Sequence, residues 1–206
     1  MQFERKTRAP GVKAVMHLHS ELDVPDSQRA WRMVAAAFVV GFVVFGAIYS
    51  FGVFLEPIAS DLQTSRMATS ALFSITSLIF YLGGSVTGHF SDRFGPRPVV
   101  AAGAAMMGAG LILMAFIDRL WVGYIVYGIG VGVGTACAYI PTLAIVGGWF
   151  VKRRNTALGV AAAGTGCGML FVPPVAAALI GCCGWRHASI ILGIGCTSLL
   201  LTSAAV

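Results

Sequence analysis

The chain has 206 residues, 57% of them hydrophobic and only 11% charged, with a mean hydropathy of +0.84 and a net charge of +6. A soluble domain carries about a quarter of its residues charged, so water-soluble folds are excluded. The charges lie in short gaps between long uncharged runs, which predicts an all-α membrane protein; a β-barrel would show alternating segments of about ten residues, and these runs are continuous and longer.

Residues 1–32 are polar, mixed in charge and carry Pro10 and Pro25. With no apolar stretch ahead of a small-residue cleavage site, they are expected to form a disordered cytoplasmic tail rather than a cleaved signal peptide. A six-helix transmembrane bundle is expected over 33–206, with helices at roughly 33–55, 67–90, 98–117, 120–145, 156–181 and 187–206, since about 20 apolar residues cross a hydrocarbon core of about 30 Å. Lys152, Arg153 and Arg154 mark one membrane boundary, because each would cost about 2.5 to 3.5 kcal/mol at the centre of a spanning helix. Of the 14 Lys and Arg residues, eleven fall in the first tail and in the second–third and fourth–fifth connections, whereas Arg66, Arg119 and Arg186 fall on the other side. The positive-inside rule then places the N-terminus in the cytoplasm. The basic excess is a topology signal, and no nucleic-acid partner is expected.

Within the runs, the fourth helix carries Gly128, Gly130, Gly132 and Gly134, two overlapping pairs of small residues four apart, and the fifth carries Gly164 and Gly168. Such pairs allow close backbone contact, as simple packing or as smooth sliding faces. Pro141, Pro173 and Pro174 are expected to interrupt helices four and five and to free carbonyls. Thr135, Tyr139 and Thr142, spaced by four and three residues, share one helical face. The five cysteines read as small apolar side chains, and the adjacent Cys182 and Cys183 lack the two-residue spacing of metal or redox pairs. With no metal cluster, no acid pair in the membrane and no nucleophile beside a base, no catalytic residue, metal or cofactor is assigned and an enzyme is not expected.

The connection Gly88-His-Phe-Ser-Asp-Arg-Phe-Gly-Pro-Arg97 has a glycine followed four residues later by Asp-Arg and then Gly-x-Arg. Gly88 would admit a neighbouring helix, Gly95 a tight turn, and Asp92 opposes the dipole of its own helix end and so calls for an outside partner. This stretch resembles the loop signature of the major facilitator superfamily, which implies that Gly88, Asp92, Arg93, Gly95 and Arg97 form a cytoplasmic gate latched to an opposite bundle; the competing reading is a charged turn at the interface. A second stretch, Trp149-Phe-Val-Lys-Arg-Arg-Asn-Thr-Ala-Leu-Gly-Val-Ala-Ala-Ala-Gly164, resembles the fifth-helix signature of the monocarboxylate porters, with Trp149, Phe150, Lys152, Arg153, Arg154, Ala157, Gly159, Ala161, Ala163 and Gly164 in the matching places. That family's other signature is represented by Asp26, Ala30 and Trp31, while Ser27, Gln28 and Arg29 depart from it.

The resemblance spans about residues 26 to 206, the first six helices of a twelve-helix fold. It implies secondary transport of a small organic anion, with a proton, by alternating access in the plasma membrane or the bacterial inner membrane. The implied partners are that anion, protons, membrane lipid and a second six-helix bundle, in the same chain or another. It also implies that helices one and four line the path, which makes Tyr49, Thr135, Tyr139 and Thr142 the substrate-cavity candidates; interhelical hydrogen bonding is the competing role. Some porters place a lysine in helix one about where Tyr49 stands, and the second bundle usually supplies an arginine. No ionisable side chain lies deep in any of the six runs here. A half-size membrane subunit that binds a partner and does not transport alone is the alternative.

Overall fold

The computed structural model describes residues 28–150 and 153–205. The tail expected over residues 1–32 lies outside them up to residue 27, and its last five residues are already helical: α1 runs Gln28–Asp61. Next come α2 (Arg66–Phe94) and α3 (Pro96–Met114). Then α4 spans residues 120–149, and one continuous helical assignment covers Arg154–Ala204. At about 1.5 Å per residue, those 51 residues would measure about 77 Å if straight, more than twice a hydrocarbon core. They are not straight. Gly184 sits at φ 80°, ψ 161° and folds the run into α5 (residues 154–183) and α6 (residues 185–204). All regular structure among the described residues is helical, the architecture expected from the uncharged runs.

Local chemistry explains the boundaries. The Ser65 hydroxyl accepts the Ala68 N–H at 3.1 Å and caps α2. Gly95, at φ 84°, ends α2 with its N–H on the Ser91 carbonyl at 3.0 Å, and Pro96 opens α3 at a position where its missing N–H costs nothing. Pro141, Pro173 and Pro174 do not interrupt α4 and α5, although each, lacking an N–H, still leaves a carbonyl one turn back without its helical donor. Pro57, Pro141, Pro173 and Pro174 all lie inside continuous helix, and the break falls at Gly184, where a positive φ removes the helical path altogether. In α4 the irregularity precedes the proline: Tyr124–Val131 is a π-helix, and the buried Thr76 hydroxyl of α2 reaches the Tyr127 carbonyl within it at 3.5 Å.

Glycines set the packing. On α4 the two glycine pairs face different neighbours. A Cβ at Gly128 or Gly132 would meet Ile75 or Ile79 of α2, whereas one at Gly134 would come within 2.5 Å of the Met107 backbone nitrogen in α3, and one at Gly103 within 2.7 Å of the Gly134 carbonyl. The partners advance together in steps of four, so α2 and α4 run parallel, while α3 and α4 run antiparallel. On α5, Gly164 and Gly168 rest directly on the backbone of Phe38 and Phe42, and Gly46 of α1 abuts Val172, which makes α1 and α5 a second parallel pair. In lipid, such backbone contact replaces the hydrophobic drive that holds soluble helices together.

The two ends of the bundle differ. One end gathers the start of α1, the end of α4 and the start of α5 around a small core of Ala30, Val34, Ala37, Val146, Phe150, Ala157 and Ala161, and the α2–α3 turn lies at the same end, across a cavity from Met33 and Ile145. The other is clasped by Arg186, just after the Gly184 break. Its guanidinium donates to the Asp61 carboxylate of α1 at 2.9 Å and to the Ala115 carbonyl beyond α3 at 2.7 Å, and lies 4.7 Å from the Trp185 ring centroid.

Candidate functional site

The face that joins α1, α2 and α4 at mid-height is aromatic. Phe45 of α1 lies at its centre: its ring centroid is 4.9 Å from Tyr139 of α4, 5.9 Å from Phe80 of α2 and 6.5 Å from Tyr49, one helical turn along α1. Phe73 adjoins Tyr49 at 6.3 Å, and Tyr81 adjoins Phe80 at 5.2 Å. Tyr49 is 48% exposed and Tyr81 76%. Among the described residues, none of the hydroxyls of Tyr49, Tyr81 and Tyr139 meets a protein acceptor, whereas Tyr124 donates to the Ala68 carbonyl at 2.9 Å.

Depth gives this pattern its meaning. Tyr81 stands about 22 Å from the start of α2 and about 20 Å from its end, at about 1.5 Å per residue. Membrane tyrosines ordinarily sit in the interfacial belts, where the hydroxyl reaches water. A bare hydroxyl held in hydrocarbon without a partner costs several kcal/mol. The Tyr127 hydroxyl of α4, 5% exposed, likewise meets no acceptor among the described residues, so what sets Tyr49 and Tyr81 apart is that their phenols reach the surface of the bundle at mid-depth. Acyl chains suit other faces, such as Ile191, Ile194 and Leu199 of α6 or Ile125 and Ile129 of α4, which are exposed and purely aliphatic.

Of the four cavity candidates, Tyr49 and Tyr139 are brought together through Phe45, while the two threonines take a different position. Thr135 is fully buried with its hydroxyl donating to the Gly132 carbonyl at 2.9 Å, and Thr142 donates to the Ala138 carbonyl at 2.6 Å. Both hydroxyls are engaged by their own helix. Phe45, Phe80 and Tyr81 carry no signal of spacing or charge that singles them out in the sequence. Tyr81 has one usable sign: a tyrosine at the centre of an uncharged run, far from either interface.

At the end of the bundle that holds the α2–α3 turn, Gly88 faces open space, so among the described residues no helix makes the close approach that a glycine there would permit. Asp92 is exposed and makes no ion pair among the described residues; Arg93 lies 5.5 Å from the Phe94 ring centroid. Arg97 lines a cavity of about 480 Å³ together with Met33, Val40, Pro98, Thr142 and Ile145. Lys152 lies outside the described residues. Arg153 precedes α5, Arg154 opens it, Gly159 faces open space and Gly164 touches Phe38. The two stretches that resemble porter signatures meet in space: the Trp31 and Phe150 rings pack edge to face at 5.6 Å, with Ala30 and Ala157 buried beside them.

These features define a polytopic helical membrane bundle with a polar aromatic face at mid-depth and a charged turn at one end. The chain belongs to the Major Facilitator Superfamily, whose family model matches residues 37–205. It is 32% identical over 168 residues to Monocarboxylate transporter 13 of Bos taurus, covering 82% of this chain and 39% of that protein. It is 31% identical over 169 residues to Monocarboxylate transporter 11 of Mus musculus and 32% identical over 170 residues to Monocarboxylate transporter 1 of Rattus norvegicus, covering 38% and 34% of those proteins. The chain thus spans less than two-fifths of the length of these relatives, and the similarity is of the monocarboxylate-transporter type.

Proposed function

We propose that this chain forms the first six-helix bundle of a secondary transporter that moves a small organic anion of the monocarboxylate class together with a proton. The observation that carries the reading is the placement of the Tyr49, Tyr81 and Tyr139 phenols together at mid-depth on one face of the bundle, with Tyr49 and Tyr81 exposed. A phenol can donate to a carboxylate without the desolvation cost of a buried cation. Tyr49 and Tyr139 supply those donors from α1 and α4. The balancing charge comes from a second bundle opposite this face, and the two bundles rock about the bound anion.

In this reading the N-terminus and the α2–α3 turn are cytoplasmic, in line with the eleven-to-three distribution of basic residues. Asp92, exposed at the end of α2 where it opposes the helix dipole, awaits a partner on the second bundle. Closing that contact seals the inner end, and opening it admits the anion from the cytoplasm of the plasma membrane or bacterial inner membrane.

The test is uptake of labelled lactate, pyruvate, formate and oxalate by the full-length protein in proteoliposomes, with and without an imposed pH gradient. Saturable uptake of a monocarboxylate, accelerated when the outside is more acidic, is the expected outcome. Uptake of none of these acids under either condition would sink the proposal for short acids, and an indifference to the gradient would remove the proton.

A further inference from the structure

A carboxylate site must also accommodate whatever the carboxylate is attached to. For formate or lactate that remainder is at most two carbons, and two hydroxyls would suffice to hold the ion. The face carries far more than that. Phe45, Tyr49, Phe73, Phe80, Tyr81 and Tyr139 form one connected set of rings contributed by three helices, with neighbouring centroids between 4.9 and 6.5 Å apart, and the set continues inwards from Phe73 through the buried Phe51 to Tyr127. Its ring planes are mixed: Phe45 lies near-parallel to Tyr49 at 25° and edge-on to Tyr139 at 71° and to Phe80 at 86°. A flat ring arriving at this surface meets the exposed Tyr49 and Tyr81 and the half-buried Phe45, Phe73 and Tyr139, with Phe80 buried behind them, and so finds both faces and edges to pack against, which favours aromatic over aliphatic contact.

The placement of polar atoms points the same way. Tyr49 and Tyr139 flank Phe45 with unpartnered hydroxyls, and Tyr81 adds a third phenol beyond Phe80, with 76% of its surface exposed. No Asp, Glu, Lys or Arg occurs among residues 33–55, 67–91 or 120–149, so nothing on this face repels or fixes the non-carboxylate end of a ligand. Neutral donors beside a broad aromatic floor suit a conjugated acid, in which the carboxylate is coplanar with a ring.

We infer that the preferred substrate of this site is a planar aromatic monocarboxylate, with Phe45 and Tyr81 as specificity-determining residues, the buried Phe80 holding their rings from behind, and the hydroxyls of Tyr49 and Tyr139 on the carboxylate. This rests on the transport reading given above and narrows it. Each well-placed ring pair contributes about a 2- to 10-fold gain in affinity beyond its area burial, so with two such pairs an aromatic acid should exceed a saturated one of the same size by about 4- to 100-fold.

Benzoate and cyclohexanecarboxylate differ in planarity and π-character but little in size or charge, which makes them suitable probes. The experiment measures concentration-dependent uptake of labelled benzoate, cyclohexanecarboxylate and pyruvate by the full-length protein in proteoliposomes. The expected result is a half-saturation concentration for benzoate at least about 4-fold below that for cyclohexanecarboxylate, with Phe45→Leu shrinking the ratio towards one. Tyr81→Leu serves as the second variant: its side chain is the most exposed of the set, so loss of its ring leaves the interior packing in place, and it too should reduce the ratio. Equal handling of benzoate and cyclohexanecarboxylate, alongside pyruvate uptake, would overturn the aromatic preference and leave the transport reading standing. A benzoate preference that both variants retain would overturn the assignment of these residues. Failure to move any of the three acids would remove both readings together.

Discussion

Replacing Tyr139 by Phe removes one oxygen and keeps the ring. The contacts of that ring with Phe45 at 4.9 Å and Phe80 at 6.2 Å survive, and since the hydroxyl meets no protein acceptor among the described residues, no intramolecular hydrogen bond is lost. Stability should therefore hold. If the hydroxyl donates to a substrate carboxylate, its loss removes a hydrogen bond to a charged group, about 1.5 to 3 kcal/mol, and raises the half-saturation concentration about ten- to a hundred-fold. Tyr49→Phe should behave alike. Tyr124→Phe is the contrast, because its hydroxyl ties α4 to the Ala68 carbonyl at 2.9 Å. That change should lower the thermal midpoint, by the equivalent of about 0.6 to 1.5 kcal/mol, and leave the half-saturation concentration alone. The assay is initial-rate uptake in proteoliposomes over a hundred-fold range of substrate, paired with thermal unfolding of each purified variant in detergent. If Tyr49→Phe and Tyr139→Phe transport with wild-type half-saturation, the phenols are packing residues and the anion is held elsewhere.

Three further outcomes follow from the geometry. Asp92→Asn in the full-length protein should slow transport with normal expression and insertion, read from uptake rate per inserted molecule; an unchanged rate would reduce the α2–α3 motif to a turn. Arg186→Met removes the bonds to Asp61 and the Ala115 carbonyl; the exposed ion pair contributes about 0.2 to 1 kcal/mol and the charged hydrogen bond about 1.5 to 3, so the thermal midpoint should drop, with only the ion-pair part mimicked by high salt in the parent. Gly134→Leu should destabilise by at least about 1 to 3 kcal/mol, because its Cβ would come within 2.5 Å of the Met107 nitrogen, whereas Gly159→Ala, facing open space, should be neutral or stabilising by up to about 1 kcal/mol in the same melting assay.

The helical bundle was legible because hydrocarbon forbids charge: uncharged runs bounded by Arg, Lys, Asp and Glu have few other ways to satisfy their backbones. Glycines four apart were also informative, although their division between α2 and α3 depends on which face of α4 meets which neighbour, a tertiary fact. Prolines misled. A proline inside a helix loses one hydrogen bond, which packing tolerates at Pro141, Pro173 and Pro174, while Gly184 at a positive φ ends a helix outright, and nothing in Cys183-Gly184-Trp185 distinguishes that glycine from the twenty-five others. In the candidate site, the tyrosines at 49 and 139 were readable as the polar groups left in helices without charge. Thr135 and Thr142 looked equivalent by spacing, but a short hydroxyl reaches its own helix carbonyls and a phenol does not. The aromatic wall escaped notice because Phe45 and Phe80 are ordinary membrane residues until three helices converge on them.

The parallel pairing of α1 with α5 sets a timetable for biosynthesis. Phe38 and Phe42 leave the ribosome 126 residues before Gly164 and Gly168 do, which at about 5 to 20 residues per second is a delay of about 6 to 25 s. Throughout that interval α1 has been threaded into the bilayer without the helix against which its backbone is shaped to lie. Lipid must occupy the vacant side and then be squeezed out when α5 arrives. A nascent chain arrested between the fourth and fifth helices would leave that side permanently open to quality-control proteases or to a foreign helix with the same glycine spacing. The first helix to enter the membrane is thus enclosed only when the fifth arrives, and α3 later still, when α6 brings Gly193 and Thr197 against Gly108 and Ile112.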